Sequence, residues 1–224
     1  MEELNTRTIE ILLEHGALRF GEFRLKSGKM SPYFINLGDV ADGRGIFELS
    51  TLMVKKIEGD VGLDSFDVIF GPAYKGIVLA SAVASSLYQK FGVAKGFAYD
   101  RKEKKGHGEG GDFVGTNLMG ERKNVLVVDD VITDGKTKID IISRLQEETK
   151  AEVLGIFVIV DRMERDGEGK MYSETIKESS CVRFFSLVTV LDIIDYIENV
   201  GIEKLGISND VFVELKKFAG HPDK

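Results

Sequence analysis

The sequence is poor in the residues that build disulfide scaffolds, zinc knots and proline-rich linkers. Its 224 residues include one cysteine, Cys181, with three histidines and three prolines. One thiol cannot close an internal disulfide, which excludes a secreted disulfide framework. Three His and one Cys leave little for a structural zinc site. No Pro-rich linker and no internal repeat divides the chain, so residues 1–224 read as a single domain of α/β size. Long apolar runs are also missing. The longest, Val153–Val160, falls far short of the ~20 residues of a membrane helix. Net positive charge is absent as well: 30 Lys and Arg against 37 Asp and Glu give −7. That balance provides no general basic field for nucleic acid. A small anionic substrate would need a locally basic site. Met1–Glu10 carries Glu2, Glu3 and Glu10 and no apolar core, unlike a signal peptide, and the cytoplasm is the expected compartment.

What is present is a globular composition, 43% hydrophobic and 30% charged, arranged as alternating strand and helix patterns. Leu4–Glu14 reads as a helix closed by Gly16, with Asn5 or Thr6 as N-cap. Phe20–Asn36 reads as short strands broken by Gly21, Gly28 and Pro32. Asp42 is placed to cap a helix whose Ile46, Leu49, Leu52, Met53 and Ile57 share one face. Beyond Asp67 the apolar runs Val68–Phe70, Gly92–Tyr99, Val125–Val128, Val153–Val160 and Phe184–Val188 alternate with helix patterns at Gly76–Tyr88 and Lys136–Gln146. Two short helices finish the chain. Continuous apolar strands between helices predict a parallel sheet covered on both faces, with ligands beyond the carboxyl ends of its strands.

The unusual residues lie at those ends. Val125–Val128 is followed by Asp129 and Asp130, and then by Val131, Ile132, Thr133, Asp134, Gly135, Lys136 and Thr137. Exposed N–H groups at such a helix start suit a phosphate, and Thr133, Lys136 and Thr137 add donors. Adjacent carboxylates suit the vicinal hydroxyls of a ribose, or metal waters. Either Asp alone would equally fit a helix cap at a strand end. A P-loop is excluded, because its first Gly would fall on Asp130. Residues 101–112 form a second unusual stretch. Four basic residues, three acidic ones and four glycines give it a net charge of +1. Gly106, Gly108 and Gly111 satisfy a dinucleotide-binding spacing, but no helix pattern follows. Charge and glycine alone would make this a solvated loop. A structureless stretch of this length is also the form a functional lid takes. Phe70–Gly76 reads as a tight strand-to-helix turn whose small residues let N–H groups approach an anion.

The acidic string resembles the ribose-phosphate motif of type I phosphoribosyltransferases. Residues 101–112 resemble the mobile catalytic loop of the orotate phosphoribosyltransferases, in the spacing from Arg101 and Lys102 through Lys105 to His107-Gly-Glu109. The resemblance runs from about Leu13 to Ile197 through five motifs in the family's order. It implies a central mostly parallel sheet flanked by helices, with a small hood from about residues 1–40. It further implies transfer of a phosphoribosyl group from phosphoribosyl pyrophosphate (PRPP) to orotate, with Mg2+ carried by PRPP and no direct protein ligand. By matching position, Asp129 and Asp130 hold the ribose hydroxyls, and Val131–Thr137 hold the 5′-phosphate. Lys26, Tyr74, Lys75, Arg101, Lys102, Lys105 and His107 meet the pyrophosphate. Phe34 and Ile35, with Thr133 and Arg162, receive orotate, and Arg162 meets its carboxylate. Lys26, the loop cations, His107 and the acid pair form the implied catalytic set, with Lys105 and His107 as candidates to protonate the leaving group. A homodimer in which loop 101–112 completes the neighbouring site is also implied, with neither nucleic acid nor membrane as partner.

Three positions depart from the family pattern. Asp134 and Lys136 stand where a small residue and Thr are common, and Ile35 where a second Phe is common. Asp134 is expected to face solvent, with Lys136 compensating. The competing readings are a phosphoribosyltransferase for another base, a non-catalytic PRPP-binding regulator, and a non-enzymatic nucleotide-binding domain. Arg162 opposes the first, and the intact loop opposes the second.

Overall fold

A computed structural model of the chain describes residues 2–25, 28–102, 112–132 and 135–220. Helix α1 (Glu2–Glu14) is followed by an antiparallel hairpin of β1 (Leu18–Arg24) and β2 (Met30–Ile35), with an irregular register between Phe20 and Phe23. Helix α2 (Gly43–Asp60) follows, and the Asp42 carboxylate accepts the Gly45 N–H at 2.7 Å as its N-cap. Next come β3 (Val68–Gly71), α3 (Lys75–Phe91), β4 (Gly96–Asp100), β5 (Phe113–Gly115), β6 (Lys123–Ile132), α4 (Lys136–Glu148), β7 (Ala151–Asp161), α5 (Tyr172–Ser180), β8 (Arg183–Thr189), α6 (Val190–Val200) and α7 (Asn209–Phe218).

Six strands form the central sheet in the order β5-β4-β3-β6-β7-β8. All neighbours are parallel except β5, which pairs antiparallel with β4. Strand periodicity explains how the sheet feeds two cores. Ile69, Leu126, Val128, Phe157 and Ile159 pack with α1, α2, α3 and α6 on one face. Val68, Phe70, Val125, Val127, Ile156 and Val158 pack with α4 and α5 on the other. Each fully buried aliphatic or Phe side chain contributes about 1.5–3 kcal/mol relative to exposure. Among the described residues no helix is long and apolar enough to cross a membrane.

Several expectations need correction. α1 starts at Glu2, so neither Asn5 nor Thr6 caps it, and Asn5 instead donates to Asp192 on α6 at 2.7 Å. β4 begins at Gly96, because Gly92 turns left-handed (φ 68°) to close α3. β6 does not end at Val128. It runs on through the acid pair to Ile132, because Asp129, Val131 and Ile132 continue the parallel register with Val158, Val160 and Asp161 of β7. β5 and α5 had no counterpart in the sequence pattern.

Candidate active site

The carboxyl ends of β3, β4, β6 and β7 carry the chemistry. On β6 the carboxylates of Asp129 and Asp130 are buried, 7% and 9% exposed. Each spends one oxygen on the next backbone N–H: Asp130 N donates to Asp129 Oδ1 at 2.9 Å, and Val131 N to Asp130 Oδ1 at 2.8 Å. Each spends the other on a lysine. Lys75 Nζ donates to Asp130 Oδ2 at 2.9 Å, and Lys138 Nζ donates to Asp129 Oδ2. Burial pushes the Asp129 carboxyl above the ordinary Asp range. The Lys138 ammonium pulls it back, and the neighbouring Asp130 charge pushes it up again.

Beyond β6, Val131 is half-buried and Ile132 buried, while Lys136 and Thr137 are exposed. Gly135 takes a left-handed conformation (φ 70°) at the start of α4, and its side-chain-free position provides no cap hydrogen bond. Backbone N–H groups of Lys136 and Thr137 lie in that first turn. Thr133 and Asp134 lie outside the described residues.

The turn from β3 into α3 is tight. Ala73 N donates to Asp100 Oδ1 at 2.8 Å, which ties this turn to the end of β4. The Ala73–Tyr74 peptide is cis. Tyr74 is 68% exposed, and Lys102 Nζ stands 5.5 Å from its ring centroid. Arg101 N donates to the Asp112 carbonyl at 2.8 Å, closing the base of the 101–112 loop. Arg144 on α4 spans the same base, donating to Asp100 at 3.2 Å and Asp112 at 3.4 Å. Lys105, His107 and Glu109 lie outside the described residues, as does Lys26 in the hairpin.

The hairpin reaches the end of β7 through Arg162. This residue is 3% exposed; its Nη2 donates to Ser31 Oγ at 2.9 Å and its Nε to Glu164 Oε1 at 2.6 Å. Its guanidinium carbon lies 4.2 Å from the Tyr33 ring centroid and 5.4 Å from that of Phe218. Burial, the largest influence, pushes the Tyr33 hydroxyl pKa upward, and the Arg162 charge opposes that shift. Along β2 the faces alternate. Phe34 stacks on Phe23 with centroids 5.5 Å apart, whereas Ile35 is 8% exposed and points into the core. The Ile35 side chain therefore offers no surface to a planar ring, because period two puts it on the face opposite Phe34.

The structure thus joins Lys75 to Asp130 and Lys102 to Tyr74, and it sets Arg162 against the hairpin. It adds Lys138, Arg144, Asp100, Ser31 and Glu164, which the sequence did not single out. Only Glu164 carried a local signal, as an acid two positions from Arg162.

A phosphoribosyl transferase domain family matches residues 38–192. The orotate phosphoribosyltransferase of Bifidobacterium adolescentis is 47% identical over 166 residues, covering 72% of this chain and 71% of that protein. The Schizosaccharomyces pombe orotate phosphoribosyltransferase is 45% identical over 186 residues, covering 82% and 84%. Among solved structures, the Francisella tularensis orotate phosphoribosyltransferase superposes with a TM-score of 0.78 at 29% identity, covering 96% of this chain and 98% of that one.

Proposed function

Because the chain belongs to the phosphoribosyltransferase family, among its orotate phosphoribosyltransferases, we propose that it carries out that reaction on the site built around Asp129 and Asp130. The enzyme transfers the phosphoribosyl group of PRPP to orotate, giving orotidine 5′-monophosphate and pyrophosphate, a step of pyrimidine biosynthesis. The anomeric C–O bond to pyrophosphate breaks with its electron pair leaving on the pyrophosphate, the bond to orotate N1 forms, and the N1 proton passes to the departing pyrophosphate or to solvent. The meeting of Lys75, from the β3–α3 turn, with Asp130 on β6 at 2.9 Å is the observation that carries the assignment. That proximity supports reading Lys75 as a cation for the pyrophosphate and Asp130 as a carboxylate for the ribose of one ligand.

In this reading Asp129 and Asp130 accept hydrogen bonds from the ribose 2′- and 3′-hydroxyls, and residues 131–137 hold the 5′-phosphate at the start of α4. Binding energy far from the breaking bond then orients the anomeric carbon. Lys26, Lys75, Arg101 and Lys102, with Lys105 and His107, neutralise the leaving pyrophosphate, and Tyr74 contacts it. Loop closure excludes water from the sugar cation. The Phe34 face and the backbone of Ile35 receive the orotate ring, and Arg162 its carboxylate.

We assign Mg2+ as the cofactor. Both carboxylates are already engaged by a lysine and a backbone N–H. That donor set fits an ion held mainly by substrate phosphates and water, so that the protein holds the sugar. When bound to PRPP, the ion supplies Lewis-acid neutralisation of the pyrophosphate. A homodimer whose loop 101–112 completes the neighbouring site and a cytoplasmic location complete the proposal. The test is PRPP binding by the Asp129→Asn, Asp130→Asn double variant. Loss of binding supports the site, and retained binding removes it.

A further inference from the structure

The two carboxylates of β6 are held alike but by unlike lysines. The Lys75 side chain, which holds Asp130, is 46% exposed, so it can leave for a phosphate. The Lys138 side chain, which holds Asp129, is 10% exposed, as is that carboxylate. A buried carboxylate stripped of its partner is driven toward the neutral acid or destabilises the fold. Lys138 is the third residue of α4, and its N–H donates to the Gly135 carbonyl at 3.0 Å. A cation in the first turn of a helix opposes the helix dipole, where acidic residues are favoured. Solvent exposure does not offset that here, whereas the bond to Asp129 does. A carboxylate has about four lone-pair sites. The bonds to Lys138 and Asp130 N occupy one on each oxygen and leave the others for hydroxyls.

We propose that Lys138 is a positioning residue for phosphoribosyl transfer, holding Asp129 charged and in a fixed orientation toward the ribose. Because it stands on the helix whose start receives the 5′-phosphate, it also sets the spacing between the phosphate turn and the acid pair. Lys75 is free to exchange Asp130 for pyrophosphate, while Lys138 stays in place. This inference rests on the reading of Asp129 as a ribose-holding group.

A double-mutant cycle tests it in the full-length chain with Mg2+, using Lys138→Met, Asp129→Asn, the double variant and Lys138→Arg. PRPP affinity is read by calorimetry, and kcat and both KM values by steady-state assay. Lys138→Met should weaken PRPP about tenfold, the worth of a hydrogen bond to a charged group, with orotate KM little changed. Lys138→Arg should recover most of that loss. The double variant should bind PRPP no worse than Asp129→Asn alone, since Lys138 acts through that carboxylate. Losses that multiply in the double variant, or a failed Arg rescue, overturn the proposal. If Lys138→Met does not fold, the double variant should, because the stranded charge is gone; a double variant that also fails to fold overturns it. If Asp129→Asn leaves PRPP affinity unchanged, the ribose reading falls and this inference with it. If Asp129→Asn weakens PRPP and folded Lys138→Met does not, this inference alone falls.

Discussion

Gly71 and Gly76 are in backbone contact: a Cβ on Gly71 would sit 1.8 Å from the Gly76 carbonyl oxygen. A Cβ on Gly76 would in turn meet the Gly71 carbonyl carbon at 2.8 Å. The β3–α3 turn is therefore closed by two residues that have no side chain. Gly71→Ala should lower stability by at least about 1–3 kcal/mol, the usual range for overpacking, and weaken PRPP binding with it. Gly59, inside α2, has nothing within 4 Å of its Cβ position. Gly59→Ala is the control and should gain about 0.5–1 kcal/mol in thermal or urea unfolding.

Arg162 is the residue most directly tied to base choice. Arg162→Ala strands the buried Glu164 carboxylate, and breaking such a pair costs about 3–5 kcal/mol, so lost activity there would be ambiguous. Arg162→Lys keeps the charge and removes the fork. Steady-state kinetics should show an orotate KM raised about tenfold or more, with PRPP KM within about twofold of wild type. Equal changes in both KM values would separate Arg162 from the orotate carboxylate.

Arg144 joins the two ends of the 101–112 loop and belongs to neither substrate site. Its pairs with Asp100 and Asp112 are partly solvated, and its side chain is 31% exposed, so they add only about 0–1 kcal/mol to stability. Arg144→Met should leave the melting temperature nearly unchanged and lower kcat by about three- to tenfold through poorer loop closure. An unchanged kcat would show that the loop base does not need this clamp.

The Asp161 carboxyl, at the end of β7, is pushed above its usual range by burial, against a backbone N–H from Met163. A carboxyl that holds its proton more tightly when folded loses stabilisation as pH rises from its unfolded value, near 4, through its raised folded value. Asp161→Asn keeps the hydrogen-bond acceptor and removes the charge. Urea unfolding should therefore show the stability of the Asn variant relative to wild type increasing across that window. A difference independent of pH would contradict the shift.

The parts of the fold legible in the sequence were those buried on both faces. Val68–Phe70, Val125–Val128 and Val153–Val160 are continuous apolar runs because helices cover the sheet on each side. β5 is three residues on a sheet edge, too short to carry a pattern. α5 buries only Ser173 and Ile176, so its polar sequence looks like a loop. The acid pair read as a strand end because two carboxylates interrupt the apolar run, yet pairing with β7 continues past them. Lys138 was invisible for a related reason. A lysine in a helix ordinarily faces solvent, and only the packing of α4 on the sheet sets it against Asp129.

The most direct test is a spectrophotometric assay of orotate consumption by the purified chain, with PRPP and Mg2+ together and with each left out, and with adenine or hypoxanthine in place of orotate. Orotate should disappear only when PRPP and Mg2+ are both present, chelation should stop the reaction, and neither purine should be consumed. Consumption of a purine, or no loss of orotate under the complete conditions by folded protein, would contradict the assignment.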